Sequence, residues 1–367
     1  MDTGNNSTII FSIIVIVIVG CIYLLYKFKL KDSNCTRIQT YSPHISSSVQ
    51  TLFANVPLKK VYVKTAYNCC CTGNFKNDYV DFCALINCNL QGVRALHFEI
   101  YSLNNKPIVS ASINQTPKYK ETYNHLDFLE TMKKVNSIFL KSNSTQAPLF
   151  IILDIHTKNR PIYESIYNIL KETFSLNKLY YVGIYKNNTA ELMDTIMSTL
   201  ANKVIILINC INTDLIGDKL KSISYDLTSN SDNKIYSYSE FVTKTDSIQN
   251  KYSDIFLNKL NILVPYKQTK DKNYDFISSG VKYGVSFIAM NFQFNDDQLV
   301  LYNDKLFKKG NVSNGSFTFK IYNTPKTNNY FSPIIKANEK SQELQEPKIY
   351  TTRSDININY PGLTDYL

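Results

Sequence analysis

An uncharged apolar run near the amino terminus constrains this chain more than any other feature. Residues 9–26 read IIFSIIVIVIVGCIYLLY, close to the roughly 20 residues that a helix needs to cross about 30 Å of hydrocarbon. The preceding residues carry one acidic side chain, Asp2, and no basic one, whereas a cleavable signal has positive charge at this place. We therefore predict a short amino-terminal segment, 1–8, and a retained transmembrane helix, 9–26.

Four basic residues follow the apolar run directly: Lys27, Lys29, Lys31 and Arg37. Loops rich in lysine and arginine tend to stay on the cytosolic side of a membrane. We therefore predict a single-pass membrane protein whose large carboxy-terminal domain is cytosolic. The segment 27–57 is then a basic juxtamembrane linker.

The eight cysteines include three consecutive ones, Cys69, Cys70 and Cys71. Three adjacent side chains do not turn toward one zinc ion, and the chain has no second CxxC pair to complete such a site. Because the cytosol keeps thiols reduced, we expect the cysteines to be buried small apolar residues and not disulfides.

The remainder of the chain is long and apolar enough to fold. Hydrophobic residues make up 44% of the 367 residues, which argues against disorder. The net charge is +10, and we expect no nucleic-acid partner. Apolar strand-like runs alternate with amphipathic helical stretches, which predicts an α/β fold with parallel strand pairing. The predicted strands are 61–65, 93–101, 107–112, 149–155, 203–209, 236–239, 262–265 and 285–292, and the helices are 79–91, 123–140, 161–175 and 189–201.

Two of these strands place ionisable side chains on one face. In 93–101, His97, Glu99 and Tyr101 alternate with apolar residues, and in 149–155 the carboxylate of Asp154 shares a face with His156 just beyond the strand. In a βα barrel, such groups are tolerated at the solvated mouth formed by the carboxyl ends of the strands. They indicate either a binding site or a polar layer with satisfied hydrogen bonds.

Several separated blocks then resemble one family. TAYNCCCTGNF (65–75), LINCNLQGVRALHFEIYSLNNKPIVSAS (85–112) and APLFIILDIH (147–156) resemble the X half of eukaryotic phosphoinositide-specific phospholipase C. LNILVPYK (260–267) and FISSGVKYGVSFIAMNFQF (276–294) resemble its Y half. The resemblance implies a distorted TIM barrel, with an X-like half at 58–210, a linker at 211–233, a Y-like half at 234–322 and a partly ordered tail at 323–367.

The resemblance also implies which residues should perform catalysis. The family uses one histidine to stabilise the phosphorane and a second to protonate the leaving diacylglycerol. Here Tyr67 and Ile113 occupy the two expected histidine positions. Losing one positioned acid or base costs about 10² to 10⁴ in rate, so this chain should have little turnover.

The family's calcium ligands fall on Asn68, His97, Glu99 and Asp154. The imidazole is a poor ligand for calcium, so the resemblance implies a weakened calcium site, a site for zinc or manganese, or no cation. Part of the family's headgroup-binding block is kept at Ser237 and Ser239.

Three functions are compatible with these residues. The leading hypothesis is a membrane-anchored, phospholipase C-like pseudoenzyme with a binding or scaffolding role, whose partners are membrane lipid and a protein. The alternative is an active, metal-dependent phosphodiesterase of altered specificity, with His156 as its acid or base. A third is a structural membrane protein whose basic surface, including Lys59, Lys60 and Lys64, faces anionic lipid.

Overall fold

The structure is a computed structural model, and its described residues are 3–41, 53–114, 119–140, 147–180, 182, 189–228, 234–246, 256, 258–267, 272–308 and 313–320. The expected tail, 323–367, lies outside them, as does the end of the expected linker, 229–233. The fold below refers to the compact unit that ends at Lys320.

The first element is a long helix, α1 (Thr3–Gln39). From Ile10 onward its most apolar window has a mean hydropathy of 2.5 and no buried residue. By length and composition it is one helix that could cross a bilayer. It continues well beyond the apolar run, so part of the expected linker is helical.

Eight parallel strands curl into a barrel. In the order of pairing they run β7, β6, β5, β2, β1, β10, β9, β8, which is the chain order of a TIM barrel. Three further strands pair antiparallel off this order: β3 with β2, β4 with β3, and β11 with β1. The strands are β1 (Val61–Ala66), β2 (Ala95–Leu103), β3 (Lys106–Ser110), β4 (Leu126–Asp127), β5 (Leu149–Ile155), β6 (Val204–Cys210), β7 (Ser224–Asp226), β8 (Ile235–Ser237), β9 (Ile262–Val264), β10 (Phe287–Met290) and β11 (Phe317–Phe319).

Helices separate most of the strands. They are α2 (Phe82–Leu90), α3 (Phe128–Phe139), α4 (Arg160–Lys178), α5 (Thr189–Asp194), α6 (Asp218–Lys221), α7 (Tyr238–Asp246) and α8 (Asp297–Leu301). Their starts follow from local sequence: the carboxylates of Asp81, Asp127 and Asp296 accept from backbone N–H groups in the first turns of α2, α3 and α8. Pro161 fills the first turn of α4.

The expected α/β class and distorted TIM barrel are confirmed, with two differences in detail. The segment at 107–112 forms β3, which runs antiparallel to β2 as a hairpin, because two residues separate the strands and a parallel return needs a longer crossover. The described part of 211–233 contains α6 and β7, so the first half of the barrel extends through Asp226. Within the described residues, no ladder joins β7 to β8, and the barrel stays open there.

Apolar side chains fill the interior below the mouth. Phe150 on β5 contacts Phe287 on β10 edge to face, with ring centroids 5.0 Å apart. Because side chains alternate along a strand, Phe150, Ile152 and Asp154 share the inner face of β5. The carboxylate therefore lies above a packed floor, at the carboxyl end of the strand.

Helix α1 packs against the loops that form the barrel mouth. Lys31 forms a salt bridge of 2.7 Å with Asp81, and Arg37 donates to the carbonyl of Thr72. Nearer the apolar run, Lys27 Nζ lies 3.8 Å from the ring centroid of Tyr123. These contacts lie beyond the carboxyl ends of β1 and β3, so the helix is attached to the face of the barrel that carries the polar site.

A disulfide reinforces this attachment. Cys35 of α1 is bonded to Cys83 of α2, so the expectation that the cysteines are all reduced is wrong for this pair. The sequence does not reveal their proximity because 48 residues separate them. Cys69, Cys70 and Cys71 are buried free thiols, as expected.

The expectation that Lys64 belongs to a basic, lipid-facing surface is wrong. Lys64 has no exposed surface, and its ammonium donates to the carbonyl of Gln91 at 2.9 Å. Lys59 forms a salt bridge with Asp194. Both Lys59 and Lys60 precede β1, at the opposite end of the barrel from the loops that hold α1. These lysines therefore do not form one lipid-facing surface next to the helix.

Candidate active site

The barrel mouth gathers the polar residues that the sequence singled out. Glu99 on β2 is in register with Asp154 on β5, and Asp154 is in register with Asn209 on β6. Tyr67 and Asn68 follow the end of β1 directly. Parallel strands end at one edge of a sheet, which explains why residues so distant in sequence meet here.

Asn68 has a backbone conformation that suits its residue type. Its φ is 40°, in the left-handed region that asparagine tolerates better than most residues. This bend after β1 lets Asn68 Nδ2 donate to Glu99 Oε1 at 2.9 Å. The other side-chain atom, Oδ1, lies 3.2 Å from His97 Nδ1.

Glu99 is the centre of the site. Its side chain has no exposed surface, and both of its oxygens are surrounded by donors. The donors at Oε1 are Lys267 Nζ at 2.5 Å, Asn68 Nδ2 at 2.9 Å and Tyr67 OH at 3.2 Å, and those at Oε2 are Tyr101 OH at 2.6 Å and Ser112 N at 3.2 Å. Burial alone would raise the pKa of Glu99, but the ammonium of Lys267 and nearby His156 lower it below its usual range.

Lys267 is the residue that sequence reasoning missed. It lies just after β9, its side chain is 5% exposed, and its Nζ also donates to the carbonyl of Asn114 at 3.1 Å. Lys267 is the last residue of the block LNILVPYK, and nothing in that block shows that it pairs with Glu99. The one signal in the sequence was Glu99 itself, because a buried carboxylate needs a cationic partner.

A second cluster surrounds Asp154. His156 Nε2 lies 3.3 Å from Asp154 Oδ2, and His97 Nε2 lies 3.9 Å from the same oxygen. Neither nitrogen has a well-directed hydrogen bond within the described part of the chain. Asn209 Nδ2 donates to the other oxygen, Oδ1, at 2.7 Å. Asp154 is 15% exposed, so this cluster lies at the open side of the mouth.

The pKa values of the two imidazoles move in opposite directions because their surroundings differ. Burial lowers the pKa of His97 to about 4, so its ring is neutral. Burial also opposes protonation of His156, but Asp154 outweighs it and raises the pKa of His156. For Asp154, burial is outweighed by His156 and His97, which hold its pKa well below the usual range. Asp154 and His156 therefore favour each other's charged forms.

Tyr67 fills the position at which the resemblance places the first histidine. Its ring packs beside His97 with centroids 4.6 Å apart, and against Phe75 edge to face. Burial, with the nearby Glu99, raises the pKa of Tyr67 well above its usual value. The phenol therefore stays protonated and donates its hydrogen bond to Glu99, so it is neither a cation nor a base.

Ile113 lies where the resemblance places the second histidine. Its side chain carries no proton, and its backbone N–H donates to Glu121 at 2.9 Å. The same carboxylate accepts from Ser112 Oγ at 2.6 Å and from Asn114 Nδ2 at 3.2 Å. Glu121 therefore organises this loop through internal hydrogen bonds.

Ser237 is the last residue of β8, and Ser239 lies in the first turn of α7. Ser237 N donates to Glu240 Oε2 at 3.1 Å, and Glu240 N donates to Ser237 Oγ at 3.4 Å. This reciprocal pair is a capping box. Ser237 Oγ lies 3.3 Å from Ser239 Oγ. Substrate binding by the two serines stays a prediction, and the contacts give Ser237 a structural role.

The four residues expected to bind a cation do not fit calcium, which takes six to eight oxygen ligands. Asn68 directs its oxygen to His97, and His97 offers nitrogen. Both oxygens of Glu99 are held by donors, and one oxygen of Asp154 is held by Asn209. Most of these oxygens are therefore used in hydrogen bonds within the protein, and the remaining one, Asp154 Oδ2, faces the two imidazoles. Elsewhere, ligand atoms of Cys35, Asp81 and Cys83 lie within 4.8 Å of one another, but the two sulfurs are bonded to each other.

Comparison with solved structures identifies the barrel. PLC21 from L. pealei is similar to this chain with a TM-score of 0.59 and 12% identity, over 75% of this chain and 38% of that protein. The fold is that of a phospholipase C barrel. PLC21 from S. officinalis is similar with a TM-score of 0.55 and 11% identity, over 73% of this chain and 37% of that protein. The chain thus spans less than half of these proteins.

A third similar structure is the apo form of a calcium-dependent phosphoinositol-specific phospholipase C from a Gram-negative bacterium, Pseudomonas sp.. Its TM-score is 0.46 and its identity 11%, over 69% of this chain and 95% of that protein. No protein-family model matches the sequence, and no curated protein matches it. The similarity is one of fold.

Proposed function

We propose that this chain is a membrane-anchored, phospholipase C-like protein that has lost phosphodiesterase catalysis and serves in binding or scaffolding. The observation that carries the proposal is the hydrogen bond from Tyr67 to Glu99. The phenol of Tyr67, which cannot carry positive charge, lies where the family has a histidine. Its hydroxyl donates to Glu99, the carboxylate that would accept a proton from the substrate. Ile113 adds the loss of the second proton carrier.

The burial of the site supports the same conclusion. His97 and Glu99 have no exposed surface, and Tyr67 is 2% exposed. Catalysis on a phosphodiester requires the reacting groups to approach the substrate within hydrogen-bonding distance. In this arrangement, the groups nearest Glu99 are the protein's own donors.

Membrane anchoring by α1 is part of the proposal. Tyr23, within the apolar run, lies 3.5 Å from Tyr123 of the barrel, hydroxyl to hydroxyl. Tyrosines are enriched where membrane hydrocarbon meets water, and Tyr119 of the same loop is 79% exposed. If α1 spans the bilayer, these contacts hold the mouth against the membrane surface, and the partner that meets the mouth is membrane lipid.

Two features of the chain point to opposite sides of the membrane for the barrel. The basic residues after the apolar run favour the cytosol, and we retain this placement as a proposal. A disulfide such as Cys35–Cys83 is typical of oxidising compartments, and in the cytosol it is usually transient or redox-sensing. Glycosylation mapping in cells decides between them, since modification of the sequon Asn143-Ser144-Thr145 would place the barrel outside the cytosol.

The test of the proposed function is hydrolysis by the full chain in phosphoinositide-containing vesicles. We expect release of inositol phosphates at least about 10⁴ below that of an active homologue, because two proton carriers are absent. Turnover near that of the homologue would refute the proposal.

A second candidate function is an altered phosphodiesterase, which the Asp154 and His156 pair favours. The pair lies at the open side of the mouth, and a protonated imidazole next to a carboxylate is suited to donate a proton. This candidate predicts turnover of some phosphodiester that His156→Gln abolishes. No turnover of a panel of phosphodiesters by the wild type would exclude it.

A further inference from the structure

The ammonium of Lys267 contacts a carboxylate to which the resemblance assigns a metal ion, Glu99. Its Nζ lies 2.5 Å from Glu99 Oε1 and 3.1 Å from the carbonyl oxygen of Asn114. Both acceptors are oxygen atoms, and the side chain is 5% exposed. The buried ammonium therefore contacts two oxygen atoms, one of which belongs to the carboxylate that the resemblance assigns to cation binding.

Lys267 supplies a positive charge where a cation would meet Glu99. Its ammonium forms a salt bridge with this fully buried carboxylate. A divalent ion at the same oxygen would therefore meet a buried positive charge within a medium of low dielectric, where like charges repel strongly. Glu99 thus has its counter-ion without a metal.

We propose that the ammonium of Lys267 is the resident cation of this barrel mouth and takes the place of a divalent metal. The inference rests on the mouth being the functional site proposed above, but it does not require the protein to be inactive. It explains why Glu99 stays ionised while fully buried.

The proposal predicts how calcium and terbium bind to the full chain in detergent. These hard ions are chosen because they take oxygen ligands and bind poorly to sulfur, so the disulfide sulfurs of Cys35 and Cys83 do not compete. The wild type should show no saturable binding below about 1 mM, the weak end of protein calcium sites. Lys267→Met removes the ammonium and leaves two buried carboxylates, so it should bind calcium at least tenfold more tightly and gain melting temperature when calcium is added.

The matched control is Lys272→Met. Lys272 donates to Asn74 Oδ1 outside the cluster, and its substitution should leave metal binding unchanged. If Lys267→Met does not fold, the charge-matched double variant Glu99→Gln/Lys267→Met should fold and melt above Glu99→Gln alone. Wild-type calcium binding tighter than about 1 mM that Glu99→Gln abolishes would overturn the proposal. So would a folded Lys267→Met that gains no affinity. Phosphoinositide hydrolysis tests the proposed function, and metal binding tests the role of Lys267. Because the two are measured separately, either proposal can fail without the other.

Discussion

The hydroxyl of Tyr67 donates to Oε1 of Glu99 across 3.2 Å, and the same oxygen lies 2.5 Å from Lys267 Nζ. A phenol and an ammonium thus both contact one carboxylate at the mouth of a barrel with the phospholipase C fold. The polar groups nearest this carboxylate are the protein's own donors.

Removing the Tyr67 hydroxyl should destabilise the protein measurably. In Tyr67→Phe, Glu99 loses one of its donors while staying buried, and a hydrogen bond to a charged group contributes about 1.5 to 3 kcal/mol. We expect a loss of that order in the free energy of unfolding, measured by urea denaturation in detergent. The control is Tyr62→Phe, whose hydroxyl donates to the neutral carbonyl of Val281. A Tyr67→Phe loss no larger than that of the control would contradict the role given to Tyr67.

Introducing histidines at positions 67 and 113 tests whether their absence accounts for the proposed lack of hydrolysis. Tyr67→His alone should not restore hydrolysis of phosphoinositide vesicles, because Ile113 still leaves the second proton carrier absent. The double variant Tyr67→His/Ile113→His should exceed the wild type by about 10² or more only if Lys267 is also replaced. Substantial turnover of the single variant would show that the second position is not needed.

Buried Lys64 should make stability depend on pH. Burial lowers its pKa from 10.5 to about 7, so between those values the unfolded chain binds more protons than the folded one. The free energy of unfolding therefore rises with pH across that window. From pH 7 to 9 we expect a contribution of about 2 to 3 kcal/mol, measured by urea denaturation.

The contribution of Lys64 is isolated by substitution. Lys64→Met should reduce the rise by the contribution of Lys64 and leave that of Lys320, a second buried lysine whose pKa burial lowers. Lys60→Met, at a partly exposed neighbour, should leave the rise unchanged. If the free energy of unfolding changed with pH equally in the wild type and in Lys64→Met, Lys64 would not be a source of the pH dependence.

The disulfide should stabilise the attachment of α1 to the barrel. Closing a loop across the 48-residue separation of Cys35 and Cys83 stabilises by about 4 kcal/mol in the chain-entropy description. Cys35→Ser/Cys83→Ser should lose stability of that order, whereas Cys21→Ser, at an exposed free thiol, should not. Titration of the unreduced, unfolded wild type should find the six free thiols that the structure contains. Eight free thiols would show that the bond is absent.

Much of the barrel and part of its site could be predicted from sequence because they depend on local periodicity. The alternation in β2 places His97 and Glu99 on one face, and the apolar run of β5 ends at Asp154, as expected. The helix starts at Asp81 and Asp127 follow from side chains that cap the adjacent backbone. The antiparallel turn of β3 was missed because an apolar run does not encode its direction.

The sequence by itself determined the apolar length of α1, the order of strands around the barrel and the residue types at its mouth. Only the tertiary structure decided that Lys267 meets Glu99, that Cys35 meets Cys83 and that Lys64 is buried. The physical reason is that periodicity acts over a few residues, whereas these pairings join segments separated by 27 to 168 positions. Burial makes the pairings of Lys267 and Lys64 energetically large, because a buried charge without a partner is costly.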